Sequence, residues 1–284
     1  MFVPFVLGKY TIVGRIRYGG MGEVLKAESV TEDGAIASWA VKRPLPTVRE
    51  DPDLLGLFWR ETELMQKVKH RAIIEVADVG VHKGIPYVVM EYVEGATVQE
   101  ILQWCQQNDS KPRPETWVLM AGDLAQAAEY LHRFKRGKRP LVHGDIRGAN
   151  VMIDTTGEIR LLDLGVALAD DELYRRILRN RGEEVPPFLL DRGKTPEADT
   201  FAIGRVLVEC LGGMSQVEQA TRFPKGLVEV IKRSVDRSGL YVFKTARAMR
   251  SEIAGYLAAS KTKKMRSELA RLATEVHTAR VQSD

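Results

Sequence analysis

His143-Gly144-Asp145-Ile146-Arg147-Gly148-Ala149-Asn150, followed by Leu161-Leu162-Asp163-Leu164-Gly165, decides how this chain reads. Two short apolar runs of strand type, Val151–Asp154 and Ile159–Leu162, lie along this stretch. Asp145, Asn150 and Asp163 therefore fall within 19 residues, around two short strands. Moving a phosphoryl group needs a side chain that orients an attacking hydroxyl and accepts its proton. It also needs hard oxygen ligands for Mg²⁺. Asp145 suits the first role, and Asn150 with Asp163 the second. The competing reading is that these are polar residues ending two strands.

Outward from this stretch, the chain changes character. Toward the N-terminus, Lys9–Ile16, Glu23–Ala27 and Ser38–Arg43 are short β-type runs, and Ile73–Val79 and Tyr87–Val93 add two more. Between them Leu55, Phe58, Leu64, Met65 and Val68 recur at helical spacing, which predicts a helix over 54–68. After Gly95 helices are predicted over 97–105, 115–135, 200–211, 226–235 and 246–259. A β-rich part followed by a helical part implies an α+β chain with two lobes. The expected division is 1–92, 93–258 and a charged helical tail over 259–284.

The β-rich part holds three further candidates. Gly19-Gly20-Met21-Gly22-Glu23-Val24 joins two strand-like runs. It is either a glycine-rich hairpin turn or a loop whose N–H groups approach phosphates that a Cβ would hold away. Lys42, in Ala40-Val41-Lys42, either snorkels to solvent or holds nucleotide phosphates. Glu61, 19 residues on, is either a surface acid or the partner that orients Lys42.

Composition narrows the classes. Of 284 residues, 44% are hydrophobic and 28% charged, enough apolar content for a buried core. A net charge of +4 is too small to argue for nucleic acid. Cys105 and Cys210 form neither a metal spacing nor a disulfide framework, so a reducing cytoplasm is expected. Met1–Leu7 lacks the basic flank and cleavage site of a signal peptide, and no apolar run reaches the roughly 18 residues a membrane span needs.

Taken in order, these motifs resemble the eukaryotic-like Ser/Thr protein kinases of bacteria, over about Leu7 to Tyr256: glycine-rich loop, strand lysine, helix glutamate, catalytic-loop Asp and Asn, and metal-loop Asp. The resemblance implies ATP bound between two lobes with Mg²⁺. Phe58-Trp59-Arg60-Glu61 is similar to the family's central helix, closed by His70. Tyr87-Val88-Val89-Met90-Glu91-Tyr92-Val93 resembles the hinge, with Met90 as gatekeeper. By the same resemblance Glu91 and Val93 offer backbone groups to adenine, and Val24, Ala40 and Met152 sandwich the ring. Gly19, Gly20 and Gly22 cover the phosphates with Lys42. Asp145, Lys42, Glu61 and Arg147 are the catalytic set, and Asn150 and Asp163 the metal ligands. Asp199 matches the buried acid that holds the catalytic loop. Met65, Val76, His143 and Leu164 match the apolar spine.

Several positions depart from the family. Arg17 stands where the loop's first glycine is expected, which implies weakened ATP binding. Gly144 replaces the arginine that receives a phosphorylated activation segment, and 165–194 contains no Ser or Thr, leaving Tyr174 as its only hydroxyl. Control by phosphorylation of that segment is therefore expected to be absent. Its fixed charges, Arg175, Arg176, Arg179 and Arg181 near Asp170, Asp171, Glu172, Glu183 and Glu184, are expected to hold it instead, stiffened by Pro186 and Pro187. Arg147 replaces the usual Ser/Thr-kinase lysine, as in some tyrosine kinases. Pro187 and Val242 fall where the family pairs Glu with Arg, and the stretch 212–224 is short. In the tail Met265, Leu269, Leu272 and Val276 form one stripe, to be packed on its own lobe or offered to a partner helix. The expected function is phosphoryl transfer from ATP to protein hydroxyls. The alternatives are a nucleotide-binding or scaffold pseudokinase and a small-molecule phosphotransferase.

Overall fold

Alternation along Gly22–Val30 sets the first half of the architecture. Glu23, Leu25 and Ala27 are buried while Val24 and Lys26 between them are half-buried, the period-two signature of a strand with one sealed face. The computed structural model describes residues 2–19, 22–136, 138–180, 186–219, 223, 225–258 and 261–283. It divides into two units, Met1–Val93 and Glu94–Asp284.

Among the described residues the first unit carries six strands: β1 (Phe5–Leu7), β2 (Tyr10–Gly19), β3 (Gly22–Val30), β4 (Ile36–Pro44), β5 (Val76–His82) and β6 (Ile85–Glu91). They form one antiparallel sheet in the order β1-β2-β3-β4-β6-β5. Leu25, Val41 and Val89 stand opposite one another across β3, β4 and β6, and Leu7, Tyr10, Ile12, Ala27 and Tyr87 complete the buried cluster on that face. Two helices, α1 (Pro46–Arg49) and α2 (Pro52–Lys67), lie between β4 and β5 in the chain. Asp51 starts α2 by accepting the N–H groups of Asp53 and Leu54 at 2.9 and 3.2 Å, with Pro52 in the first turn. The expected strand at 73–79 begins only at Val76. Ile73 instead turns its N–H back to the His70 carbonyl at 2.9 Å.

The second unit is mainly helical, as expected. It opens with β7 (Gly95–Thr97) and α3 (Val98–Gln107), whose start is a reciprocal cap between Thr97 and Glu100. Then come α4 (Pro114–Leu131), the short strands β8 (Lys135–Arg136) and β9 (Arg139–Pro140), and β10 (Val151–Asp154) and β11 (Ile159–Leu161). Helix α4 stops at Leu131, short of the expected 135, because Arg133 and Phe134 close back onto the Tyr130 and Leu131 carbonyls at 3.1 and 2.9 Å. The remaining helices are α5 (Asp171–Asn180), α6 (Pro187–Arg192), α7 (Pro196–Cys210), α8 (Met214–Gln219), α9 (Lys225–Ser234), α10 (Ala246–Leu257) and α11 (Thr262–Ser283). Gly204 lets α7 meet α9: a Cβ there would lie 2.4 Å from that of Ser234.

The tail helix α11 packs on α3, α4, β7 and β10. Its stripe of Met265, Leu269, Leu272 and Val276 is buried there. Arg266 fixes the register, reaching Asp123 at 2.6 Å and the Gly157 carbonyl at 3.0 Å. Among the described residues no helix is long and apolar enough to cross a membrane.

Candidate active site

The half-buried face of the first sheet collects most of the expected nucleotide contacts. Because opposed residues share a face, Val24 and Lys42 stand side by side on β3 and β4, and Ala40 and Met90 on β4 and β6. Lys42 Nζ donates to both Glu61 oxygens, at 2.8 and 3.0 Å, with the two side chains only 14% and 3% exposed. A pair this dry draws its strength from weak screening and fixes the ammonium in one place. The interior position of Glu61 on α2 makes the pairing possible, and of the two readings of Lys42 snorkelling is set aside. Gly19 and Gly22 face each other at the strand ends. Gly22 has a packing reason of its own, since a Cβ there would come within 2.7 Å of the Arg43 carbonyl oxygen. Gly20 and Met21 lie outside the described residues. Arg17 is exposed on β2, opposite Val24. Glu91 donates its N–H to the Glu75 carbonyl at 3.0 Å, and Val93 is buried.

In the second unit, Asp199 organises the loop around Asp145. It is fully buried on α7 and accepts the N–H groups of His143 and Gly144, both at 2.9 Å, and His132 Nε2 at 2.8 Å. Burial opposes its ionisation. The His132 hydrogen bond, the nearby imidazoles and the Gly144 N–H outweigh that effect and hold its carboxyl below the usual carboxylate range. Since an ionised carboxylate only accepts, His132 is the donor in that contact. His143 continues the network: one ring nitrogen faces the Leu162 carbonyl at 3.1 Å and the other accepts the Asp145 N–H at 3.1 Å. Arg147 is exposed and pairs with Asp145 at 3.1 Å.

Asn150 belongs to the same network, and Asp163 follows the residue that pairs with it. The Asn150 amide nitrogen donates to the Asp145 carbonyl at 3.0 Å, so its oxygen is the end offered to a cation. The Leu162 N–H reaches the Asn150 carbonyl at 2.8 Å, tying the metal loop to the start of β10. Asp163 has φ +64°, a left-handed conformation that Asp tolerates better than most residues, and its Oδ1 accepts the Gly165 N–H at 3.0 Å. Met152 is half-buried on β10, opposite Thr97 and Arg160.

The donor set fits the implied groups. Among the described residues no group of three His, Cys, Asp or Glu side chains forms a metal cage. Two protein oxygens suit Mg²⁺, which keeps waters and takes phosphate oxygens for the rest of its octahedron. Lys42, held by Glu61, suits the phosphates of a nucleotide. A cavity of about 480 Å³ opens beside the catalytic loop, lined by Gly144, Ile146, Arg147, Tyr174, Phe201 and Arg205 among others.

The activation segment differs from its sequence reading. Tyr174, its lone hydroxyl, is 2% exposed. It packs in an apolar cluster with Val142, Phe188, Leu189, Phe201 and Val242. The position where the family carries a buried arginine is thus filled by a valine among apolar neighbours, and no orphan charge results. Two of these charges also have partners beyond the expected set: Asp171 pairs with Arg139 on β9 at 2.6 Å while Arg175 still acts on it, and Arg175 donates to the Leu190 carbonyl at 2.6 Å. The Arg139 guanidinium holds the Asp171 carboxyl below its usual range. Arg181, Glu183 and Glu184 lie outside the described residues. Sequence reasoning missed His132, which follows a helix without any pattern of its own, and Lys194, whose ammonium donates to three backbone carbonyls.

The sequence profile of the protein kinase domain matches residues 10–272. The tyrosine-protein kinase MasK of Myxococcus xanthus is 29% identical over 213 residues, covering 72% of this chain and 33% of that protein. The serine/threonine-protein kinase PknB of Mycobacterium leprae is 28% identical over 220 residues, covering 74% and 33%. The chain thus spans about a third of the length of these curated relatives. Among solved structures, the kinase domain of PknI from Mycobacterium tuberculosis superposes with a TM-score of 0.62 at 23% identity, over 88% of this chain and 97% of that one, a likeness of fold.

Proposed function

Because the chain belongs to the protein kinase domain family, we propose that it transfers the γ-phosphoryl group of MgATP to Ser or Thr hydroxyls of a protein. The observation that carries this reading is how each unit holds its own set: in the first Lys42 is held by Glu61 at 2.8 Å, and in the second the Asn150 amide bonds the Asp145 carbonyl at 3.0 Å, with Asp163 following the strand pair β10 and β11. MgATP would supply the transferable group and the cation that neutralises charge on it. Asp145 then orients the acceptor hydroxyl and takes its proton, with Arg147 beside it. Val24, Ala40, Met90, Glu91, Val93 and Met152 serve the adenine. The cavity beside Gly144 and Arg147 is large enough for side chains of a protein substrate. As ATP is an intracellular cosubstrate, the cytoplasm is the proposed location.

Arg147, together with the MasK relation, favours a second acceptor, tyrosine. Analysis of the phosphorylated amino acids formed from a mixed peptide library decides between them. The reading as a whole is tested by melting the protein with MgATP. A ligand present at a hundred times its Kd stabilises by about 2.7 kcal/mol. The wild type should show that upward shift, and the Lys42→Met, Asp163→Ala double variant none. A wild type that neither shifts nor binds MgATP by calorimetry overturns the reading.

A further inference from the structure

Directly after Asp163 the chain makes a single 3-10 turn, Gly165–Leu168, closed by the Ala169 N–H, which donates to the Val166 carbonyl at 3.1 Å. Lys194, far along the segment, reaches back to that end. Its Nζ donates to the carbonyls of Val166 at 3.0 Å, Ala167 at 2.5 Å and Ala169 at 2.6 Å. Lysine has three N–H donors and three carbonyls receive it. A cation at the C-terminal end of a turn is also favoured by the aligned peptide dipoles.

The lysine is held in place from both sides. Its N–H donates to Asp171 Oδ1 at 3.1 Å, and the other oxygen of Asp171 is taken by Arg139. Gly193 makes the approach possible: it has φ +72°, and a Cβ there would lie 2.7 Å from Asp171 Oδ1. Gly144 leaves room for the lysine stem. With φ +75°, its absent Cβ would meet Val166 Cγ1 at 3.1 Å, Lys194 Cδ at 3.3 Å and Tyr174 Cε2 at 3.3 Å. The space a side chain at 144 would need is therefore taken by Val166, the lysine stem and the buried tyrosine, and a larger residue there would displace them. From the turn, the Gly165 N–H passes directly to Asp163 Oδ1.

We infer that Lys194 is a positioning residue for the metal-holding loop, and that it orders the start of the activation segment, 165–171, with a cation carried inside the segment, so that no added phosphate is needed. The inference rests on the kinase reading and deepens it. No Ser or Thr lies in 165–194, and the only hydroxyl, Tyr174, is packed away. The receiving cation and the groups it grips are both already present.

The experiment compares wild type, Lys194→Met and Lys194→Arg, each made with a coexpressed phosphatase and shown by intact mass to carry no phosphate. Amide hydrogen exchange is followed across 163–170, and ATP turnover is titrated with Mg²⁺. Wild type should turn over at once, with no lag on preincubation with MgATP. In Lys194→Met the turn should exchange at least about tenfold faster while α4 is unchanged, the mark of a local opening. Its half-maximal Mg²⁺ should rise by about 10- to 100-fold, the usual effect of losing a partner that orients a metal ligand. Lys194→Arg should stay near wild type in both measurements. The inference is overturned if Lys194→Met changes neither quantity, if Lys194→Arg behaves like Lys194→Met, or if wild type acts only after Tyr174 is phosphorylated. Should Lys194→Met not fold, Lys194→Gln replaces it in both measurements, read by the same criteria. A wild type that binds no MgATP removes the kinase reading alone, and the exchange measurement still decides what Lys194 holds.

Discussion

Replacing Asp199 by asparagine keeps the shape of a fully buried side chain and removes its charge. In the native arrangement Oδ2 accepts from both His143 N and His132 Nε2, and Oδ1 accepts from Gly144 N. The best placement of the new amide puts its oxygen at the doubly bonded site and aims its NH₂ at the Gly144 N–H. One hydrogen bond is lost to opposed donors and the other two become neutral. Hydrogen bonds to a charged group contribute about 1.5–3 kcal/mol each, so a total near 3 kcal/mol is expected. For a unit the size of Glu94–Asp284 this lowers the melting temperature by roughly 6–12 °C. The sign with pH follows from the lowered pKa of Asp199 in the folded state. Its contribution is present above the ordinary carboxylate pKa and is lost as pH falls through the lowered folded value. The gap between wild type and Asp199→Asn should therefore be full at neutral pH and close below about pH 4. Thermal melts at a series of pH values make the measurement. An Asp199→Asn protein that melts within about 1 °C of wild type at neutral pH would refute the reasoning, as would a gap that widens on acidification.

Asp145→Asn should retain the MgATP-induced rise in melting temperature yet lose at least about 10²-fold in phosphoryl transfer, the scale of a positioned proton acceptor; equal turnover in the two proteins would assign the activity elsewhere. Val242→Arg places a charge among Tyr174, Phe188 and Phe201 and should cost at least about 3 kcal/mol in a urea titration, whereas Val242→Ile should cost under about 1.5 kcal/mol. An unchanged urea midpoint for Val242→Arg would show that the cluster is not closed around position 242.

What the sequence displayed and what it hid divide along a physical line. Strands β10 and β11 are short, apolar and separated by a turn around Gly157, so their ends, and with them Asn150 and Asp163, could be located from residue type alone. Lys42 and Glu61 are distant in the chain but each sits on a strongly patterned element. The three-residue strand β1 and the six-residue helix α6 are too short to show a period, whereas the α5 sequence does carry Leu173, Tyr174, Ile177 and Leu178 at helical spacing, a signal passed over because its charges drew the reading. The partnerships expected among those charges were drawn from proximity along the chain. Asp171 at the start of α5 also found Arg139 on β9, a contact that only folding creates. Lys194 was invisible for a different reason: carbonyl groups are identical at every residue, so a side chain that binds three of them leaves no complementary letter in the sequence.

The apolar cluster beneath the activation segment also sets which environment that segment feels. An ion pair anchoring the segment would weaken as salt screens it. Contacts among Tyr174, Phe188, Leu189, Phe201 and Val242 carry no charge and are indifferent to moderate ionic strength. Their strength comes from water's exclusion of apolar surface, which fades on cooling. Exchange within this cluster should thus respond to chilling, while a response to sodium chloride is left to the exposed Arg139–Asp171 pair at the start of α5, so that the two variables act on different parts of one segment.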